Sequence, residues 1–298
     1  MIRTQFLVRL FIFILAGFTW ISCAPRQQPT GVATPANPDV ILASTTSAND
    51  TGLLDTLIVI FEQQTGYRVK IISVGTGAAL ELGRRGEADV MLVHAPQAEK
   101  DMVAAGYAMN RTFLMVNDFV IAGPENDPAG IKGMASPVEA LTRISRQRAR
   151  FVSRGDDSGT HKVEMAFWQQ AGIAPSGAWY IESGSGMGAT LRMAHEKQAY
   201  LLTDRGTFLV HNDRNKGMSV LTEGAPELLN PYHMLLVNPE KYPAVNADGA
   251  RAFIEFMTSQ QTQEFICTFG VDRFGQPLFY NATSHKAAML PEGIVAEN

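Results

Sequence analysis

Cysteine is almost missing from this 298-residue chain, with Cys23 and Cys267 the only two. That count excludes a disulfide framework and a cysteine-based zinc site. The neighbours of Cys267 in "TQEFICTFG" are mostly apolar, which marks it as an inert buried thiol. Basic clusters are missing as well. Lys and Arg number 25 against 29 Asp and Glu, for a formal net charge of −4, so nucleic acid is a poor candidate partner. Any anion ligand must be held by local dipoles, because the overall field opposes it. No short-period repeat occurs. The apolar run from Leu10 to Ile21 is too short to span a bilayer comfortably.

What is present begins with that run. Arg3 and Arg9 flank it and Ser22 and Cys23 follow it, the layout of a secretory signal over residues 1–22. "WISCA" resembles the box that ends at a lipidated cysteine, so Cys23 is the expected lipidation site, with ordinary cleavage nearby as the alternative. Export would remove Arg3 and Arg9 and leave a mature charge of −6. Residues 23–38 include "PRQQPTGVATPANP", a polar Pro-rich tether.

Strand and helix signals then alternate. "DVILAS" reads as a buried parallel strand, and Leu54, Leu57, Ile58 and Phe61 recur at helical spacing before Gly66. "YRVKIISV" and "ADVMLVH" are further strands, and the same rhythm returns after residue 137. Such alternation predicts α/β architecture with mainly parallel sheets. Two stretches break it, "FLMVNDFVIAGP" and "NPYHMLLVNPEKYP". They are read as strands crossing between two lobes, near Asn117–Gly123 and Tyr232–Asn238. The expected division is 39–117 plus 238–298 for one lobe and 118–237 for the other, with a ligand cleft between them.

Four strand-to-helix loops share one composition: Ser44-Thr45-Thr46-Ser47, Gly75-Thr76-Gly77, Ser158-Gly159-Thr160 and Gly184-Ser185-Gly186-Met187-Gly188. Such loops lie at the carboxyl ends of strands and present unpaired amides, hydroxyls and little bulk. Any single one could be an ordinary N-cap. Four of them, two per lobe, predict a cradle for a small oxyanion. Arg154, directly after the strand "ARFVS", adds a forked donor, and Asp156 is expected to hold it in place.

Together "STTSANDTGLL", "SVGTGAAL", "SRGDDSGTHKVE", "ESGSGMGATLRMAHEKQAYLLTDRGTF" and "NPYHMLLVNP" resemble the signatures of tungstate-binding proteins, the exported binding components of tungstate ABC importers. The resemblance runs from about Val40 to Phe279. It implies a two-lobed type II periplasmic-binding fold, an ABC permease as partner, no cofactor and no catalysis, and a monomer is expected. It implies ligand roles for Thr45, Thr46, Ser47, Thr76, Arg154, Ser158 and Thr160, and for Ser185, Gly186 and Met187. Where the family's first motif opens with Thr, Ser44 stands here. Tungstate and molybdate are fully deprotonated and want donors only. The Arg154-to-Thr160 stretch also resembles the second-lobe motif of phosphate-binding proteins, which keeps phosphate as the alternative ligand.

Enzyme readings find less support. "GDDSGTH" with His161 and Asp157 is faintly like a serine-protease loop, yet neighbours at a helix start rarely converge as a triad. His161 and Glu164 lack a partner metal motif and read as a solvated helix face. "GSGMGA" with Asp204 downstream nominally fits a dinucleotide fingerprint, leaving an enzyme acting on a phosphorylated or nucleotide ligand as the alternative of another class. Met165, Phe167 and Trp168 read as core.

Overall fold

A computed structural model of the chain describes residues 34–212, 217–292 and 294–295. The expected signal segment, the tether up to residue 33 and Cys23 lie outside the described residues. Strand β1 (Asp39–Thr45) pairs in parallel with β2 (Arg68–Val74) on one side and β3 (Val90–Val93) on the other. Helices α1 (Thr46–Asp50) and α2 (Leu53–Thr65) follow β1, and α3 (Thr76–Arg84) follows β2. The helical stripe on α2 is buried, and the helix stops at Gly66, whose φ of 77° suits a residue without a Cβ. Helix α4 (Pro96–Ala104) leads into β4 (Ala108–Pro124).

The next stretch holds α5 (Pro137–Arg146), β5 (Phe151–Ser153), α6 (Gly159–Gln170), β6 (Tyr180–Glu182) and α7 (Met187–Lys197). It continues through β7 (Leu201–Asp204), α8 (Arg205–Asn212), β8 (Met218–Thr222) and β9 (Leu229–Val237). Helices α9 (Ala247–Thr258) and α10 (Gln260–Thr268) meet at Ser259, which caps α10; α11 (Val271–Phe274) and α12 (His285–Ala288) complete the described chain. None of the described helices is long and apolar enough to cross a membrane.

The main sheet runs β2-β1-β3-β9-β4-β7, with β8 also on β4. β4 organises it by changing partners in mid-strand. Ala108–Asp118 pairs antiparallel with β9, while Phe119–Pro124 pairs antiparallel with β7 and β8. β5 and β6 form a separate parallel pair, tied to the main sheet by a bridge from Phe151 to Tyr200. The mixed α/β architecture expected from the alternation is therefore present. Its antiparallel members are strands that periodicity alone does not orient.

Hydrophobic clusters lie on either side of the partner change. Leu54, Phe61, Leu92, Tyr232, Met234 and Phe253 pack together around β1 and β3, while Phe119, Ile121, Phe151, Trp168 and Tyr200 pack around the distal half of β4. A fully buried side chain of this size contributes roughly 1.5–3 kcal/mol. β9 pairs with β3 through His233–Leu236, and its apolar residues fill the clusters around β1 and β3. Two readings change. Met165 is exposed, because it faces away from the stripe that buries Phe167 and Trp168, and Cys267 is only partly buried.

Candidate anion-binding site

The turns that follow β1, β2, β5 and β6 each open a helix, and short side chains let them meet. A Cβ placed on Gly75 would stand 3.5 Å from Ser158 Cα, and one on Gly186 would stand 3.7 Å from Thr46 Oγ1. A Cβ on Gly159 would come within 2.5 Å of His94 Cε1, which leaves room only for glycine. Residues from the β1–β3 side of the sheet thus lie directly against residues from the β5–β7 side.

Four hydroxyls here are buried with no partner in the protein: Ser44 Oγ, Thr46 Oγ1, Thr76 Oγ1 and Thr160 Oγ1. A buried polar group left without a partner costs about 1–3 kcal/mol, so these four demand an acceptor. They come from three separate turns. Helices α3 and α6 begin beside them, at N-caps Gly75 and Ser158, and helix starts carry unpaired amides and positive dipole ends.

Arg154 is 2% exposed. Its Nε donates to Asp156 Oδ2 at 3.1 Å and its Nη2 donates to the same oxygen, while Asp156 Oδ1 accepts from Ser158 N at 3.2 Å. Burial works against the Asp156 charge, but the bonds from Arg154 and Ser158 outweigh it and hold the carboxyl below its usual range. The expected Arg154–Asp156 pairing is present, and it occupies one edge of the guanidinium. The Nη1–Nη2 edge remains as a forked donor.

Other predicted residues are committed within the protein through their side chains. Thr45 Oγ1 caps α1 by accepting from Ala48 N, and Ser158 Oγ caps α6 by accepting from His161 N at 3.2 Å. Ser185 Oγ donates to Ser183 O at 3.1 Å. Met187 is fully buried in an apolar cluster, and Asp50 Oδ2 lies beside the neighbouring Gly188. Thr45 and Ser158 only accept in these bonds and keep their hydroxyl protons to donate, whereas Met187 can offer a ligand only its backbone.

Sequence reasoning missed three contributors. Ser44 stood in a quoted motif but was treated as its margin. Asp50 ends α1 without any motif of its own. His94 follows β3, stacks on Tyr232 with centroids 4.7 Å apart, and meets Asn230 Oδ1 through Nδ1 at 2.8 Å. Asn230 Nδ2 donates to Asn117 Oδ1, so Oδ1 is left to accept and Nδ1 carries the proton. Burial above all pushes the His94 pKa down to about 4, with Arg154 adding repulsion. His94 is therefore neutral at pH 7.

The enzyme and metal readings gain no geometry. His161 Nδ1 accepts from Asp157 N, and Glu164 is buried against Trp168 and Tyr180, not on the solvated face expected of it. Among the described residues no group of three metal-ligating side chains converges.

A family model described as a PBP superfamily domain matches residues 27–261. The tungstate-binding protein TupA of Peptoclostridium acidaminophilum is 46% identical over 261 residues, covering 86% of this chain and 91% of that protein. A putative ABC transporter anion-binding protein of Haloferax volcanii is 49% identical over 252 residues, covering 83% of this chain and 73% of its own length. Among solved structures, the tungstate-binding protein TupA from Desulfovibrio alaskensis G20 is 45% identical with a TM-score of 0.69, covering 82% of this chain and 98% of that one.

Proposed function

Since this chain belongs to the PBP superfamily, and within it to the tungstate-binding proteins, we propose that it captures a fully deprotonated tetrahedral oxyanion, tungstate or molybdate, outside the cytoplasmic membrane and hands it to an ABC permease. The observation that carries this reading is the set of four buried hydroxyls without partners, from three separate turns, near the buried Arg154. The ligand set is Ser44, Thr46, Thr76, Thr160 and Arg154, completed by amides at the starts of α3 and α6. Ser185, Gly186 and Met187 contribute at most backbone groups.

The unpartnered hydroxyls and the buried guanidinium can all donate, which suits a proton-free anion better than hydrogen phosphate. Charge-assisted hydrogen bonds add roughly 1.5–3 kcal/mol each, so five or more offset a large dehydration cost. Two lobes, joined where β4 changes partners and where the chain returns to β9, close over the ligand and open to release it. The protein does no chemistry of its own. Calorimetry at pH 7.5 with tungstate, molybdate, sulfate and phosphate tests the proposal. Tight binding of the first two is expected. Phosphate binding tighter than tungstate would overturn the ligand, and turnover of a substrate by the pure protein would overturn the class.

A further inference from the structure

Helix α7 starts in the same way as α3 and α6, yet its first turn is answered from within the protein. The carboxylate of Asp50, the last residue of α1, lies beside Gly188 in that turn, within reach of its N–H. A Cβ on Gly188 would make an ordinary contact with Asp50 Oδ2 at 3.5 Å but would stand 2.8 Å from His211 Nε2, so a larger residue there displaces His211. At the other end of α1, Thr46 lies against Gly186. α1 follows β1 and α7 follows β6, so this contact joins the two sides of the sheet.

From this geometry we propose that Asp50 is a positioning residue that latches α7 onto α1 and keeps the binding site closed. The proposal rests on the reading above, in which closure retains an oxyanion. An anionic side chain on the first-turn amide of α7 satisfies part of that helix end. The ligand is then left to α3 and α6, and Thr46 is held at its place beside Gly186. The groups facing Asp50 are Arg192 of α7, His211 of α8, Arg154 of the turn before α6 and Asp204 at the end of β7. Burial raises the Asp50 pKa, and His211, Arg154 and the Gly188 amide act against that rise.

The test compares the parent protein with D50A, D50N and G188A. Bound tungstate is released into excess molybdate and followed by rapid filtration and elemental mass spectrometry. Scattering gives the radius of gyration with and without tungstate. D50A and G188A should release tungstate roughly tenfold faster or more, the loss of one charge-assisted bond. Association should change only a few-fold, and their ligand-free radius should exceed that of the parent. D50N keeps an oxygen that accepts from Gly188 and should restore most of the slow release. G188A leaves Asp50 intact and crowds the same helix start through His211, so it tests the α1–α7 contact even if D50A folds poorly. Release from D50A and G188A at the parental rate, with an unchanged radius, would overturn the latch while leaving anion binding intact. D50N as fast as D50A would overturn the Gly188 bond as its cause. A parent that binds no oxyanion would overturn the proposed function, and the ligand-free radii would still decide the latch.

Discussion

Glu164 should make this protein less stable as the pH rises towards 8, and Glu164→Gln should abolish that loss. The carboxyl is 1% exposed, on α6 one turn beyond Thr160, and its Oε1 accepts from Trp168 Nε1 at 3.0 Å and from the Tyr180 hydroxyl at 2.8 Å. Burial pushes its pKa up from 4.5 to about 7, against the bonds from Tyr180 and Trp168. The folded state therefore holds a proton that the unfolded chain releases. This contribution is complete below about pH 4.5 and is lost as the pH rises through about 7. At about 1.4 kcal/mol per pH unit the gap is worth about 3 kcal/mol. Glutamine keeps the accepting oxygen and cannot ionise. Urea unfolding of both proteins from pH 5 to 8.5 should show near-equal stability at pH 5. By pH 8.5 the variant should gain most of that energy, roughly 6–12 °C in Tm for a chain of this size. Other titrating groups, such as His94 and Asp204, cancel in the difference between the two proteins. A difference that stays flat with pH would refute the reasoning.

Thr160→Val replaces a buried, unpartnered hydroxyl with a methyl group of similar shape. Calorimetry should show tungstate affinity falling about tenfold to a hundredfold, for a lost charged hydrogen bond of roughly 1.5–3 kcal/mol, while ligand-free stability by urea unfolding holds or rises. Arg154→Lys should retain the charge but lose much of the forked geometry, weakening tungstate binding in the same titration. Arg154→Ala should lose several kcal/mol of binding and also lower ligand-free stability, because it strands the Asp156 carboxylate.

Much of the fold could be read from the chain because its buried strands and amphipathic helices carry different periods. Leu54, Leu57, Ile58 and Phe61 announced α2, and Gly66 its end. Strand direction and partner choice were not legible in the same way. Nothing in "NPYHMLLV" says that it pairs with β3, since that depends on contacts with residues some 140 positions earlier. The site followed the same division. Hydroxyl-rich turns before helices were visible as composition, but whether a hydroxyl faces a ligand or caps its own helix is a matter of rotamer. Thr45 and Thr46 are adjacent in one motif; one caps α1 and the other has no protein partner. Glu164 shows the limit most clearly. Polar neighbours at helical spacing suggested solvent, and only the packing of Trp168 and Tyr180 around it revealed a buried acid.

The same packing explains why binding and closure belong to one equilibrium. At about 1–3 kcal/mol for each unpartnered hydroxyl, Ser44, Thr46, Thr76 and Thr160 together set a cost of roughly 4–12 kcal/mol against this arrangement. That is comparable to the whole stability of a typical domain. A contact such as Asp50 on Gly188 offsets part of it, so the ligand-free protein spends longer closed than it would without that contact. An oxyanion that accepts from all four hydroxyls and from Arg154 removes the cost and adds to the gain. Affinity is then greatest in the closed form by a margin set largely by the hydroxyls, and the latch governs how long that form lasts. Substitutions among the hydroxyls should lower affinity through the ligand contacts themselves, while substitutions at Asp50 or Gly188 should lower it through faster release.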